Sequence, residues 1–161
     1  MNDDRSNLPA SKKPTTVVYA CSGCSDAGEI ADRIARQLTR EGAAKMSCLA
    51  GIGGRVKSLV STAENAERIL VVDGCPLNCA AHTLKLAGFK NFAHLELHKI
   101  GMRKNYCSVT EERIAAGVNA AKAILSRENS GDEMLLSPEM DSSRTTISDQ
   151  PFVATALATN G

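Results

Sequence analysis

Four of the six cysteines in this chain fall into two close pairs. Cys21 and Cys24 flank Ser22-Gly23. Cys75 and Cys79 flank Pro76-Leu77-Asn78 and follow Asp73-Gly74. Each pair closes an apolar run and opens a helix-patterned run. Thiols placed this way bind a metal or do redox chemistry, because helix N-termini stabilise thiolates. Zinc takes four thiolate or imidazole ligands in a tetrahedron, at about 2.3 Å for sulfur. A C-x2-C pair and a C-x3-C pair supply four. Four thiolates on one Zn2+ leave a formal charge of about −2, which two helix N-termini would offset. An iron–sulfur cluster also takes four cysteine thiolates. The absence of a fuller ferredoxin-like cysteine run places zinc first.

The remaining candidates are weaker. Cys48 is expected to end a second strand, where it could replace one ligand or stand free beside the metal. Cys107 precedes the last helix and reads as a plain loop thiol. Gly51-Ile52-Gly53-Gly54-Arg55 could cradle an anion, although a simple glycine-rich turn accounts for it. His94 and His98 flank Glu96 on what reads as the wet face of an edge strand, and His82 reads as a surface or helix-packing histidine. Asp73 could orient a ligand, act as a base or cap a turn. A thioredoxin-type dithiol would need a proline before a later strand, but no proline lies between Thr15 and Cys75. A low-molecular-weight phosphatase would need C-x5-R after the first strand, and position 27 is Ala27.

Net charge is +1, aromatics are 3% of the 161 residues and Trp is absent. Neither nucleic acid nor a membrane surface is therefore an expected partner. The start, Met1 to Ser6, is polar and has no signal-peptide core, and no run reaches transmembrane length. A cytoplasmic setting is expected, where paired cysteines favour metal or transient redox use over stable disulfides.

These thiols need elements to position them. Thr16 to Ala20 reads as a buried strand. Asp26 to Glu41 reads as a helix, with Ala27, Ile30, Ala31, Ile34, Ala35 and Leu38 at a 3.6 period, Asp26 and Glu29 as a capping-box-like start and Gly42 as the stop. Lys45 to Leu49 reads as strand two. Gly51 to Gly54 leads into a short helix with Val56, Leu59 and Val60 inward. Arg68 to Asp73 is the most apolar strand. Pro76 suits the first position of a helix running to Ala87. Ala93 to Lys99 alternates, with Leu95 and Leu97 inside. Thr110 caps a last helix carrying Ile114, Val118, Ala121 and Leu125, with Val109 and Ile114 as a staple.

The order βαβαβαβα implies a three-layer α/β fold, with a mainly parallel four-stranded sheet and helices on both faces, Rossmann-like. A 2-1-3-4 strand order places the switch point between strands one and three, at their carboxyl ends, where both cysteine pairs emerge. Residues 15–126 form the expected domain. Residues 1–14 read as a disordered lead-in. Residues 127–161 read as a disordered acidic tail, with six acids against Arg127 and Arg144.

Three segments, Cys21 to Gly28, Met46 to Gly54 and Val72 to Cys79, resemble in order the motifs of DGC-domain proteins, named for Asp-Gly-Cys. The resemblance spans about Thr15 to Leu125 and carries the motif onto Asp73-Gly74-Cys75. It implies zinc binding through four shared cysteines, with Cys21, Cys24 and Cys79 as companions of Cys75 and Cys48 inside a family-like segment. It brings no settled activity. The leading reading is a metal-handling or regulatory protein. The alternatives are a thiol oxidoreductase or sulfur carrier using the pairs, and a zinc enzyme with an open metal position.

Overall fold

The computed structural model describes residues 15–21 and 25–129. The lead-in, the Ser22-Gly23-Cys24 turn and the chain from 130 onward lie outside the described residues. The elements run β1 (Thr16–Ala20), α1 (Asp26–Arg40), β2 (Lys45–Met46), α2 (Leu49–Gly53), α3 (Lys57–Glu64), β3 (Arg68–Asp73), α4 (Cys79–Leu86), β4 (Ala93–Glu96), a 3-10 turn (Leu97–Ile100) and α5 (Glu111–Asn129). The last helix thus runs past the expected boundary at Ser126.

The four strands form one parallel sheet in the order β2-β1-β3-β4, as the alternation of elements requires. β1 and β3 pair over their full apolar lengths, from Thr16 opposite Arg68 to Ala20 opposite Val72. Alternate side chains leave opposite faces. Val18, Ala20, Leu70, Val72 and Leu95 pack with α1 and α5. Val17, Tyr19, Ile69 and Val71 pack with Ile52, Ala63, Ala80 and Leu84 from the helices on the other side. Where α1 meets α5, a methyl on Gly117 would fall 2.2 Å from Ile34 Cδ1. A larger residue there would have to displace the Ile34 side chain.

Several local expectations change. The N-cap of α1 is Ser25, whose Oγ accepts from Gly28 N. Asp26 instead accepts from the amides of Asn105 and Cys107, tying the loop after β4 to the start of α1. β2 is shorter than expected, because Cys48 leaves the strand to cap α2. The glycine run lies partly inside that helix. Gly51 makes room there for Leu59, whose Cδ1 would lie 1.9 Å from an added Cβ and would have to move. Val56 is exposed at the start of α3 and does not face inward. Pro76 does not open α4: Asn78 stands before it in the left-handed region, φ 48°, and Cys79 is its first residue. β4 stops at Glu96, so Leu97 is buried from a 3-10 turn instead. Among the described residues, no helix is long and apolar enough to cross a membrane.

Candidate functional site

The carboxyl ends of β1 and β3 lie side by side, and there the two cysteine segments meet. Cys21 N donates to Val72 O at 2.9 Å, which extends the pairing beyond the strands. One residue further along, Gly74 N donates to Cys21 Sγ at 3.0 Å. Cys21 is half-buried and packs against both apolar layers. Burial pushes its thiol up to about 11, against the hydrogen bond from Gly74, and the negative charges of Asp73, Cys75 and Cys79 push the same way. This edge therefore concentrates acidic and thiol groups around a sulfur that resists ionising alone. A cation would relieve that crowding.

Each residue of Asp73-Gly74-Cys75 has a separate physical task. Asp73 is fully buried under α4. Its Oδ1 accepts from Ala80 N at 2.9 Å and its Oδ2 from Ala81 N at 3.0 Å, so it caps α4 from the end of β3. His94 Nε2 lies 3.0 Å from the same Oδ2. Burial opposes ionisation, yet His94 and the two amides outweigh it and hold the carboxyl below the usual carboxylate range. Gly74 cannot carry a side chain: a Cβ would stand 2.6 Å from both C and O of Ala27. Cys75 then leaves the sheet at the edge that Cys21 reaches.

Asn78 completes the loop between the second pair. Its αL conformation turns the chain into α4, and its Nδ2 donates to Glu96 Oε1 at 2.9 Å. Asn tolerates that conformation better than most residues, and this was the available sequence signal. Cys75 is half-buried and Cys79 exposed.

The strand face expected to be wet is partly covered. Val71 pairs with His94 and Asp73 with Glu96 across β3 and β4, on the side that α4 overlies. His94 is 23% exposed and bound to Asp73, and Glu96 pairs with Lys99. His82 is exposed on α4, as expected.

Cys107 and Cys48 have different surroundings. Cys107 is buried among α1 and α5 side chains, and its amide donates to Asp26 Oδ2 at 3.0 Å. Cys48 is exposed; its Sγ accepts from Gly51 N at 3.4 Å and lines a cavity of about 700 Å³ beside β2. Cys21, Cys75 and Cys79 do not line that cavity. Among the described residues, no three His, Cys, Asp or Glu side chains stand together so as to hold a metal ion. Cys24 lies outside those residues.

The chain matches the DGC domain over residues 17–121. It is 43% identical over 93 residues to the anaerobic and virulence modulator AnvM of Pseudomonas aeruginosa, a match covering 58% of this chain and 71% of that protein. No solved structure matches the chain.

Proposed function

The chain belongs to the DGC domain family, and on that premise we propose a small metal-binding protein with a regulatory or metal-handling role. Zinc is held by Cys21, Cys24, Cys75 and Cys79 at the carboxyl edge of the sheet. The observation that carries this reading is the hydrogen bond from Gly74 N to Cys21 Sγ. It joins the end of β1 to the residue immediately before Cys75, so Cys21 and Cys75 leave the sheet at one edge. Crowding of Cys21 by Asp73, Cys75 and Cys79 supports a cation there. When bound, zinc would supply the positive charge that lets four thiolates share this edge. The name of the Pseudomonas relative, a modulator, agrees with a regulatory role. A cytoplasmic setting, which keeps thiols reduced, goes with this reading. Cys48 is left out of the ligand set, because the two pairs already supply four sulfurs.

The test is elemental analysis of untagged protein purified under reducing conditions. About one zinc per chain is expected, as for a four-thiolate site. Cys75→Ser and Cys79→Ser should each lose most of it, and Cys48→Ser should keep it. Full zinc in both pair variants overturns the ligand set. Iron with acid-labile sulfide in place of zinc overturns the metal.

A further inference from the structure

The loop that carries Cys75 and Cys79 is tied down along its whole length. At its start, Gly74 N donates to Cys21 Sγ, and Asp73 holds the first amides of α4. Within it, Asn78 N donates to Cys75 O at 3.1 Å, which closes a tight turn between the two cysteines. At its end, Asn78 Nδ2 donates to Glu96 Oε1 at 2.9 Å, across 18 positions of sequence. Cys79 is the next residue.

The tie to Glu96 is not demanded by the turn. Asn78 has φ 48° and ψ 44°, and glycine adopts that conformation at less cost than asparagine. Its side chain makes no capping bond to α4. Its Oδ1 is buried with no hydrogen-bond partner, a cost that the bond from Nδ2 offsets. Among the described residues, donation to Glu96 is the interaction that accounts for the amide.

Glu96 is well placed to hold it. It ends β4 opposite Asp73. Its side chain is 13% exposed, and its other oxygen pairs with Lys99. Burial opposes ionisation, yet Lys99, Asn78 and His94 outweigh it and hold the carboxyl below its ordinary range. An ionised acceptor makes the bond to Asn78 charge-assisted, and so stronger than a neutral one. The end of a paired strand thus grips the residue before Cys79.

We propose that Glu96 is a positioning residue for the second cysteine pair: acting through Asn78, it presets the turn that lets Cys75 and Cys79 take one metal ion together. The inference rests on the zinc assignment above. A chelate set in advance gives up less conformational freedom on binding, so the effect appears in affinity.

The experiment measures zinc affinity of the full chain by competition with a chromophoric chelator. Glu96→Ala removes the acceptor, and Asn78→Gly removes the amide but keeps the left-handed turn. Each should weaken zinc binding on the order of tenfold. The double variant should lose no more than either single one, because both break the same bond. Glu96→Gln keeps an oxygen for Asn78 Nδ2 and should bind zinc like the parent. Lys99→Ala breaks the ion pair alone and should leave affinity unchanged. A metal-free arm uses phenylarsine oxide, which must bond two sulfurs, on chain carrying Cys24→Ser. Mass-spectrometric mapping should show Cys75 and Cys79 bridged more slowly in Glu96→Ala than in Glu96→Gln. Losses that multiply in the double variant, no loss in Glu96→Ala, or equal losses in Glu96→Ala and Glu96→Gln overturn the proposal. A parent chain that binds no zinc overturns the ligand set instead, and the arsenical rates then decide the positioning role by themselves.

Discussion

Gly74 N donates to Cys21 Sγ at 3.0 Å, and the Cα of the same glycine faces the Ala27 backbone with no room for a methyl group. The two demands are coupled. The amide reaches the sulfur only because the end of β3 lies directly against the first turn of α1. Gly74→Ala forces backbone apart from backbone. A cost of about 1–3 kcal/mol is expected, with a fall in melting temperature on the order of 5–15 °C. Gly53→Ala is the control, since its methyl would only reach Thr83 Cγ2 at 3.6 Å. Melting both variants with chelator present separates packing from metal loss. Equal melting temperatures would refute the steric account.

Asp73 makes acid stability depend on His94. Its carboxyl is held below its ordinary range in the folded state. Its contribution is therefore present above the unfolded-state value of about 3.9 and is lost as pH falls through the folded value. His94→Ala removes a hydrogen bond to a charged group, for a loss of about 1–3 kcal/mol at neutral pH. It also moves the Asp73 carboxyl back up. Acid unfolding of His94→Ala should begin at a higher pH than in the parent chain, as circular dichroism would read. Coincident acid transitions would show that His94 does not support Asp73.

Truncation after Asn129 is the third test. Both apolar layers close with side chains between Val17 and Leu125. Removing residues 130–161 should leave metal content unchanged and shift the melting temperature by less than about 4 °C, the scale of ~1 kcal/mol in a domain of this size. A larger fall would mean that Met134-Leu135-Leu136 or Phe152-Val153 supplies core.

The sequence made the sheet legible because its signals were one-dimensional. A two-sided apolar β3, a one-sided β4 and alternating helices fix the order 2-1-3-4, and that order brings Cys21 and Cys75 to one edge. The details that escaped depend on contacts distant in sequence. α4 begins after Asn78, although Pro76 suits a first turn, because Asp73 captures the amides of Ala80 and Ala81. β2 ends early because Cys48 serves α2. His94 reads as a wet residue until α4 is laid over its face. The cavity at Cys48 gathers Arg36, Arg40, Lys45 and Leu59 from three elements, and no local spacing announces it.

The pairing of β1 with β3 also has a consequence in time. Cys21 and the amide that holds it are separated by 53 positions. At synthesis rates of about 5–20 residues per second, Cys21 leaves the ribosome roughly 3–10 s before Gly74. During that interval its sulfur lacks both its donor and the neighbouring strand. The nascent chain passes through a stage in which its first thiols are open to oxidants and stray metal. Translation speed across α1 to α3 thus sets how long that exposure lasts.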